Sequence, residues 1–328
     1  MTAESHAIQP PLDPEVGPTW REISATLFDG RGPRVVAETL DVARELSFPT
    51  RAELLARHPY DEVTVHAPGP AGTIPVSVLT PIGHDQASPA VFWIHGGGMV
   101  SGNRFSAEEA MDVAACVGAV VASPEYRLAP EHPSPAPGDD CVAALRWFID
   151  HAEAYGVDAR RVVLAGASAG GGLAAATALR TRDEGGPRLA GLLLCDPMLD
   201  DRMTTWSSRQ LADGGMWTRE SNEFGWRSLL GDRSGGDAVS AYEAPARATD
   251  LSGLPPVLID VGSADLFRDE DVEFASRIWA AGGDCELHVW PGGYHGFELM
   301  VPTAAISKDA YHARRRWLAR VLARLDPT

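Results

Sequence analysis

Short and almost entirely apolar runs recur along the chain and alternate with helix-like segments. The runs are AVFWIH (90–95), AVVASP (119–124), RVVLAG (161–166), AGLLLCD (190–196), PPVLIDVG (255–262) and a less uniform sixth, CELHVW (285–290). Helical patterns occupy 106–117, 139–154, 170–182 and 269–281. Strands that are apolar on both faces and alternate with helices indicate a mostly parallel sheet covered by helices on both sides. The predicted fold class is therefore α/β.

Three stretches lie outside this alternation. EVTVHAP and IPVSVLTP, joined by the turn-rich GPAGT, predict an antiparallel strand pair at one edge of the sheet. Residues 21–58, upstream of that pair, follow a helical pattern. The segment 200–245 is long, rich in Trp, Arg, Ser and Gly, and lies between two predicted strands. We interpret it as an inserted lid or cap that packs on the N-terminal helices.

Composition excludes several classes of partner. The 328 residues carry a formal net charge of −17, and such a surface repels the phosphates of nucleic acids. No apolar run reaches the length of a membrane span, and the N-terminus lacks the pattern of a signal peptide. Four widely spaced cysteines predict buried, reduced thiols and not a disulfide or metal framework: Cys116, Cys141, Cys195 and Cys285. We expect a cytoplasmic protein.

One serine lies among glycines and alanines in the pattern Gly166-x-Ser168-x-Gly170, between a buried strand and a helix. So sharp a turn strains the backbone of its central residue and leaves no room for bulky neighbours. It would present the Ser168 hydroxyl at the carboxyl end of the sheet, where parallel α/β folds bind ligands. A phosphate-binding loop is poorly supported, because the stretch lacks GxGxxG and no GK[ST] follows. We interpret Ser168 as a nucleophile.

A serine hydroxyl requires a base, and the base requires a third group that orients it. His295 lies in PGGYHGF, just beyond the last predicted strand and level with Ser168 at the carboxyl edge of the sheet. Other histidines fit loops, a strand or the C-terminal helix (His6, His84, His288, His312), and His95 fits a structural hydrogen bonder. We therefore predict that His295 is the base.

The orienting acid is predicted to be Asp265, in the loop directly after PPVLIDVG. Asp260 lies inside that strand, whereas Asp269 and Asp271 fit negative charges at the N-terminus of the next helix. The resulting chain order, serine, aspartate and then histidine, is the order of α/β-hydrolases.

A second glycine cluster, His95-Gly-Gly-Gly98, directly follows a buried strand. Glycines let backbone N–H groups approach a ligand closely. Two N–H groups of this loop and that of Ala169, at a helix N-terminus, would form a three-donor oxyanion hole. Losing one such donor costs about 3–4 kcal/mol of transition-state stabilisation. A plain flexible turn does not explain why the cluster follows a buried strand.

Five motifs in this order make the sequence resemble the hormone-sensitive-lipase-like group of α/β-hydrolases, the bacterial family IV esterases. They are HGGG (95–98), YRLAPEHPSPA (126–136) with DD at 139–140, GASAGGG (166–172), DLFRDE (265–270) and YHGF (294–297). The resemblance runs from about residue 60 to the end. Two positions depart from it: Ala167 and Glu125 stand where the family usually has aspartate.

The resemblance implies an α/β-hydrolase fold, with an eight-stranded sheet and a helical cap. A cap of residues 1–50 and 200–245 would cover a catalytic domain that spans 51–328. The implied triad is Ser168, Asp265 and His295, and the implied oxyanion hole is the backbone of Gly97, Gly98 and Ala169. A homodimer through the last strand or helix is also implied, although the C-terminal helix is equally suited to pack on the sheet.

The expected activity is hydrolysis of short- to medium-chain acyl esters through an acyl-enzyme, without a metal or organic cofactor. Large side chains of the cap would line an acyl pocket or form the cap's own core; the pocket candidates are Trp206, Met216 and Trp217. An amidase, a carbamate hydrolase or a lactonase would use the same site. A non-catalytic ligand-binding member of the family would have no use for His295.

Overall fold

The computed structural model describes residues 8–27, 34–46, 48–84, 87–212 and 215–325. Eight strands form one sheet in the order β1-β2-β4-β3-β5-β6-β7-β8. The strands are β1 Tyr60–Gly69, β2 Gly72–Pro81, β3 Ser88–Ile94, β4 Val120–Pro124, β5 Val157–Ala167, β6 Gly191–Cys195, β7 Val257–Gly262 and β8 Cys285–Trp290. β2 runs antiparallel to both of its neighbours, and every other pair is parallel. The predicted eight-stranded, mostly parallel sheet with its antiparallel edge pair is confirmed.

Eleven α-helices lie in the described part of the chain. They are α1 Gly17–Leu27, α2 Leu40–Leu46, α3 Arg51–Arg57, α4 Glu108–Ala114, α5 Ala136–Asp150, α6 Ala169–Asp183, α7 Trp206–Gln210, α8 Arg219–Leu230, α9 Arg268–Ala280, α10 Phe297–Met300 and α11 Ala305–Ala323. α3 and α8 begin after Thr50 and Thr218, whose hydroxyls accept a backbone N–H three residues on. The predicted helices between strands correspond to α4, α5, α6 and α9.

Helices cover both faces of the sheet, which explains why its strands are almost uniformly apolar. Successive residues of a strand point to opposite faces. In β3, Phe92 packs in a core with Phe148 of α5, with ring centroids 5.9 Å apart. Its neighbour Trp93 packs on the other face, in a core with Met111 of α4 and Trp317 of α11.

The carboxyl ends of four adjacent strands converge at one edge of the sheet. Strands β5, β6, β7 and β8 are consecutive neighbours and all parallel. The residues that follow them therefore meet at that edge: Ser168 after β5, Asp196 after β6, Asp265 after β7 and His295 after β8. This topology assembles the site from segments that lie far apart in sequence.

The two segments predicted to form the cap contact each other. Arg34 pairs with Glu220 at the start of α8, and the N–H of Val35 donates to Ser221 Oγ at 2.9 Å. Residues 1–7, 28–33 and 47 of the first segment and 213–214 of the second lie outside the described residues. The boundaries 1–50, 200–245 and 51–328 stay a prediction.

The prediction of four buried cysteines is wrong for Cys116, which is exposed, and Cys285 is only half-buried. Cys116 lies on a 3₁₀ turn that ends α4 at the surface, so the apolar helical pattern overstated its burial. Cys141 and Cys195 are buried, and all four thiols are free. The cytoplasmic location stays a prediction. Among the described helices, none combines the length and apolarity that a bilayer crossing requires.

Candidate active site

Ser168 lies on a strained turn between β5 and α6. Its φ is 55° and its ψ is −123°, a conformation that is rare for a residue other than glycine. Its N–H donates to Cys195 O at 2.8 Å, and its carbonyl accepts from Met198 N at 2.9 Å. A Cβ at Gly170 would overlap the backbone carbonyl of Ile94. The turn therefore requires a glycine there and fixes the hydroxyl at the end of the sheet.

The three residues predicted as a triad lie in one hydrogen-bonded line. His295 Nε2 is 3.0 Å from Ser168 Oγ, and its Nδ1 is 2.8 Å from Asp265 Oδ2. The other oxygen of Asp265 accepts from Phe267 N at 2.9 Å, and the Phe267 ring packs edge-on against His295. With Nδ1–H directed to Asp265, Nε2 is left to accept the serine proton.

The loops that carry Asp265 and His295 are tied to each other. Ala264 N donates to Gly293 O at 2.9 Å, which joins the loop after β7 to the loop after β8. Gly215, from the segment between β6 and β7, packs on the same two loops. The two side chains are therefore held in register by backbone contacts as well as by their own hydrogen bond.

Burial and charge act on His295 in opposite directions. Burial alone would lower its pKa, but the carboxylates of Asp265 and Asp196 outweigh burial and raise the pKa above its usual value. The surroundings therefore stabilise the imidazolium. A base that receives a proton from serine requires this property.

Asp196 is a site residue that the sequence analysis missed. Its Oδ2 lies 3.1 Å from His295 Nδ1, on the same side of the ring as Asp265. Burial raises the pKa of Asp196 well above the usual range. A signal was present in the sequence, because a carboxylate directly follows the buried run that ends at Cys195.

Three backbone N–H groups predicted to form the oxyanion hole have no acceptor among the described residues. Those of Gly97 and Gly98 donate to no other group within the described part of the chain. Ala169 is the first residue of α6, so its N–H has no partner inside the helix. A Cβ built on Gly96 would lie 3.3 Å from Ser168 Cβ, which shows how closely the glycine loop passes the serine. Such donors suit a developing oxyanion.

Comparison with known proteins agrees with this geometry. The family described as "alpha/beta hydrolase fold" matches residues 91–299, more than half of the chain. The chain belongs to the α/β-hydrolase family.

Relatives of this α/β-hydrolase carry esterase names. Carboxylesterase NlhH of Mycobacterium tuberculosis is 36% identical over 309 residues, which cover 92% of this chain and 94% of the relative. Esterase LipI of the same species is 36% identical over 242 residues, 72% of this chain and 75% of the relative. The solved structure of a bacterial heroin esterase matches with a TM-score of 0.84 and 37% identity, over 95% of this chain and 98% of that chain. The predicted fold class, the resemblance to hormone-sensitive-lipase-like esterases and the predicted enzyme class of serine carboxylesterase are confirmed.

His95, at the start of the glycine loop of this α/β-hydrolase, is structural. Its ring is fully buried and stacks on Tyr126 at 4.2 Å between centroids. Nδ1 lies 2.8 Å from Gly96 O, and burial lowers the pKa of His95 to about 4. The neutral imidazole of His95, held by these contacts, supports the backbone of the glycine loop.

The three predicted pocket residues have different surroundings. Trp217 is buried, packs on Gly98 and donates from Nε1 to Asn222 Oδ1 at 3.1 Å. Met216 is half-buried in a cluster that includes Tyr294, next to His295. Trp206 begins α7 and is 61% exposed. Only Trp217 contacts a residue of the glycine loop within the described ranges, and the pocket role of all three stays a prediction.

The charged residues of the YRLAPEHP motif brace loops. Arg127 forms a two-point ion pair with buried Asp140, at 2.7 and 2.8 Å. Glu131 pairs in the same way with Arg44 of α2, at 2.7 and 2.8 Å. At the Glu125 departure, the longer side chain accepts from Arg104 at 2.8 Å. Each of these pairs fixes a segment next to the site.

Asp196, Asp265 and His295 lie close enough together for a metal ion to be considered, with ligand atoms within 4.8 Å of one another. A metal on Nδ1 of a neutral histidine would leave the proton on Nε2, which would then donate and not accept. The role proposed for Nε2, as acceptor of the Ser168 proton, therefore requires Nδ1 to carry a hydrogen and not a metal.

Proposed function

We propose that this α/β-hydrolase cleaves carboxylic esters through an acyl-enzyme, with Ser168 as nucleophile, His295 as base and Asp265 as the orienting acid. The observation that carries the proposal is the hydrogen-bonded line from Asp265 through His295 to Ser168, at 2.8 and 3.0 Å. The esterase names of its relatives support the same reaction.

Each group has a defined step in the proposed reaction. His295 Nε2 takes the hydroxyl proton as Ser168 Oγ attacks the ester carbonyl carbon, and the N–H groups of Gly97, Gly98 and Ala169 stabilise the oxyanion. The protonated His295 then gives its proton to the departing alkoxide. Water, deprotonated by the same nitrogen, then attacks the acyl carbonyl carbon. The bond to Ser168 Oγ breaks, the acid leaves, and Oγ takes back the proton from His295. Asp265 holds the Nδ1–H tautomer and stabilises the imidazolium.

Trp217 supports a limit on acyl-chain length. Its buried indole packs on Gly98, next to the proposed oxyanion hole, and its hydrogen bond to the buried Asn222 fixes the ring. A rigid wall this close to the carbonyl leaves room for short and medium chains. The contacts between the N-terminal segment and α8 support a cap over the site, which favours small esters over packed lipid.

The reaction is tested with initial rates on p-nitrophenyl esters from acetate to palmitate, for wild type and Ser168→Ala. We expect an optimum at short or medium chain length and a loss of about 10⁶-fold in kcat for the variant. Activity that survives in Ser168→Ala would contradict the assignment of the nucleophile. Faster turnover of matched anilides, carbamates or lactones would assign one of the alternative hydrolase activities.

The chain-length limit is tested with Trp217→Ala. Removing the indole should move the optimum to longer acyl chains while hydrolysis of the acetate persists. Trp279→Ala, which removes a half-exposed indole from the outer face of α9, is the matched control and should leave the optimum unchanged. An optimum that does not move in Trp217→Ala would rule out this wall as the limit.

A further inference from the structure

We infer that Asp196 is a positioning residue, a second carboxylate that accepts the Nδ1–H of His295 and takes over this task when Asp265 is replaced by a neutral residue. The inference rests on the proposed function, because it assumes that His295 acts as the base for Ser168.

The geometry gives His295 Nδ1 two carboxylate neighbours. Asp265 Oδ2 lies at 2.8 Å and Asp196 Oδ2 at 3.1 Å from the same nitrogen. Both side chains are buried, with 1% and 7% of their residue surfaces exposed. The Nδ1–H of His295 therefore has two carboxylate acceptors within reach.

The backbone holds Asp196 in this place. Its φ is 36°, in the left-handed region that few residues other than glycine adopt, and its N–H donates to Asp260 O at 2.7 Å. Residues close to it in sequence bind the nucleophile: Cys195 O, directly before Asp196, accepts from Ser168 N, and Met198 N, two residues after it, donates to Ser168 O. Asp196 is thus part of the same backbone framework as Ser168. Strained residues of this kind concentrate at functional sites.

Two carboxylates this close together in a buried site do not both ionise while the histidine between them is neutral. Asp265 accepts hydrogen bonds from Phe267 N and from His295 Nδ1, so we assign the negative charge to Asp265. No backbone N–H in the described ranges donates to the Asp196 carboxyl, and burial raises its pKa well above the usual range. Asp196 therefore carries a proton while Asp265 is charged and His295 is neutral, and the charge of the imidazolium, which lowers the pKa of Asp196, favours its ionisation. Loss of the charge on Asp265 removes the repulsion and lets Asp196 ionise.

The other acidic groups around Asp196 are not placed to accept the Nδ1–H of His295. Glu298 of α10 and Glu109 of α4 are both paired with Arg314 of α11, and Asp271 of α9 acts on Asp196 only through its charge. None of them contacts His295 Nδ1, so Asp196 is the reserve acceptor within the described part of the chain.

The test compares kcat/KM for wild type, Asp196→Asn, Asp265→Asn and the double variant. In Asp265→Asn the new amide would donate to Nδ1 and select the wrong tautomer, which typically costs about 10⁴-fold. Because Asp196 still accepts Nδ1–H, we expect a loss of no more than about 100-fold. In the double variant we expect the full loss of about 10⁴-fold. If Asp265→Asn lowers kcat/KM by the same factor with and without Asp196→Asn, the inference is overturned.

A pH profile separates positioning from a merely structural effect. The activity of Asp265→Asn should rise with pH in two steps, one as His295 and one as Asp196 loses its proton, and the double variant should show only the step of His295. A single variant whose profile parallels that of the double variant overturns the inference. Asparagine keeps the shape of aspartate and tolerates a positive φ, so Asp196→Asn is expected to fold.

Two controls keep the outcomes distinct. Asp271→Asn removes a buried carboxyl that does not contact His295. Combining it with Asp265→Asn should leave unchanged the factor by which Asp265→Asn lowers kcat/KM. Wild-type activity in Ser168→Ala would defeat the proposed function and this inference with it. If Ser168→Ala is inactive but Asp265→Asn lowers kcat/KM by the same factor with and without Asp196→Asn, the inference fails and the proposed function stands.

Discussion

Ser168 and Asp196 both hold positive φ angles, at 55° and 36°. Such torsions cost of the order of 1–3 kcal/mol each for a residue other than glycine. Hydrogen bonds between the ends of β5 and β6, such as Ser168 N to Cys195 O at 2.8 Å, offset part of this cost. Both of these residues contact His295, so two of the five non-glycine residues with positive φ in the described ranges lie where the proposed chemistry occurs.

Gly98→Ala tests the proposed oxyanion hole. Gly98 has a φ of 63°, and a Cβ there would overlap the Trp217 ring, so the substitution should shift the N–H away from the oxyanion. Loss of one donor typically lowers kcat by about 10²–10³-fold, and we expect a loss in that range on p-nitrophenyl acetate.

Gly118→Ala is the matched control for this prediction. Its φ is also positive, at 60°, but a Cβ there meets nothing within 4 Å. It should therefore lose about 1–2 kcal/mol of unfolding free energy and keep its kcat. Equal kcat values for the two variants would place the oxyanion elsewhere.

The raised pKa of His295 predicts an alkaline shift in the rate profile. Burial opposes the charged form, but Asp265 and Asp196 outweigh it. Only the neutral imidazole accepts the serine proton, so activity should rise as pH increases through the pKa of the free enzyme. We expect the acid limb of kcat/KM to have its midpoint above about 6.5, the usual histidine value. A midpoint below that value would contradict the stabilised imidazolium.

Helix α2 is connected to the glycine loop through one side chain. Arg44 donates to Val100 O at 2.8 Å and to Ala129 O at 3.1 Å, and it pairs at two points with Glu131. Val100 N in turn donates to Gly97 O at 3.1 Å. The N-terminal segment thereby fixes the loop that carries two of the proposed oxyanion donors.

Arg44→Gln should therefore lower kcat/KM by about 10-fold, because small displacements of positioning groups cost up to about 100-fold. Arg160→Gln is the control, since Arg160 makes a comparable pair with Asp158 but is largely exposed. The measurement is kcat/KM of both variants on p-nitrophenyl butyrate. An unchanged rate in Arg44→Gln would show that α2 does not position the loop.

The strands and site residues that could be predicted are those that a short stretch of the sequence indicates by itself. The strands follow from their uniformly apolar runs, and the two glycine clusters and Asp265 could be found because each follows such a run. Asp196 follows one too, but its proximity to His295 depends on β6 lying between β5 and β7, which a single sequence does not specify. The link from Arg44 to Val100 likewise depends on how α2 docks. The exposure of Cys116 depends on where α4 ends.

The whole molecule carries buried acids whose titration should make its stability depend on pH. Burial raises the pKa of Glu109 to about 7 and raises those of Glu270 and Asp271 well above the usual range. The unfolded chain releases these protons near pH 4, so the folded state binds more protons from about pH 4.5 to 7, and stability falls as pH rises through that window. Glu131, whose pKa the hydrogen bond from Arg44 lowers to about 2, loses its contribution as pH falls below 4.5. The Tm should therefore peak near pH 5 and decrease toward pH 8.

Asp271→Asn tests the buried acids directly. Neither carboxylate oxygen of Asp271 has a hydrogen-bond partner in the described part of the chain. Removing the titrating group should raise the Tm at pH 8 by about 2–4 °C and change it less at pH 5. Asp237→Asn, on the exposed surface, is the control and should change neither value. A Tm that falls at both pH values would contradict the account of these acids.

The homodimer stays a prediction, and the packing of β8 and α11 favours the edge of β8 as its interface. The apolar face of α11 is buried against the sheet through Trp317 and Leu318, whereas β8 pairs only with β7 within the described residues. Val289 on β8 is 39% exposed. We expect sedimentation analysis to give a dimer that Val289→Lys converts to a monomer, since an edge lysine opposes strand pairing. A wild-type monomer would contradict the prediction.

The most direct test of the central claim is to trap the nucleophile with diethyl p-nitrophenyl phosphate and map the adduct by mass spectrometry. A reactive serine displaces p-nitrophenolate and keeps the phosphoryl group, as it would keep the acyl group of an ester. The proposed triad predicts one diethylphosphoryl group per chain, on Ser168, with one equivalent of p-nitrophenol released and activity lost in parallel. An adduct on another residue with loss of activity, or ester hydrolysis that continues unlabelled in excess reagent, would contradict the assignment of Ser168 as the nucleophile.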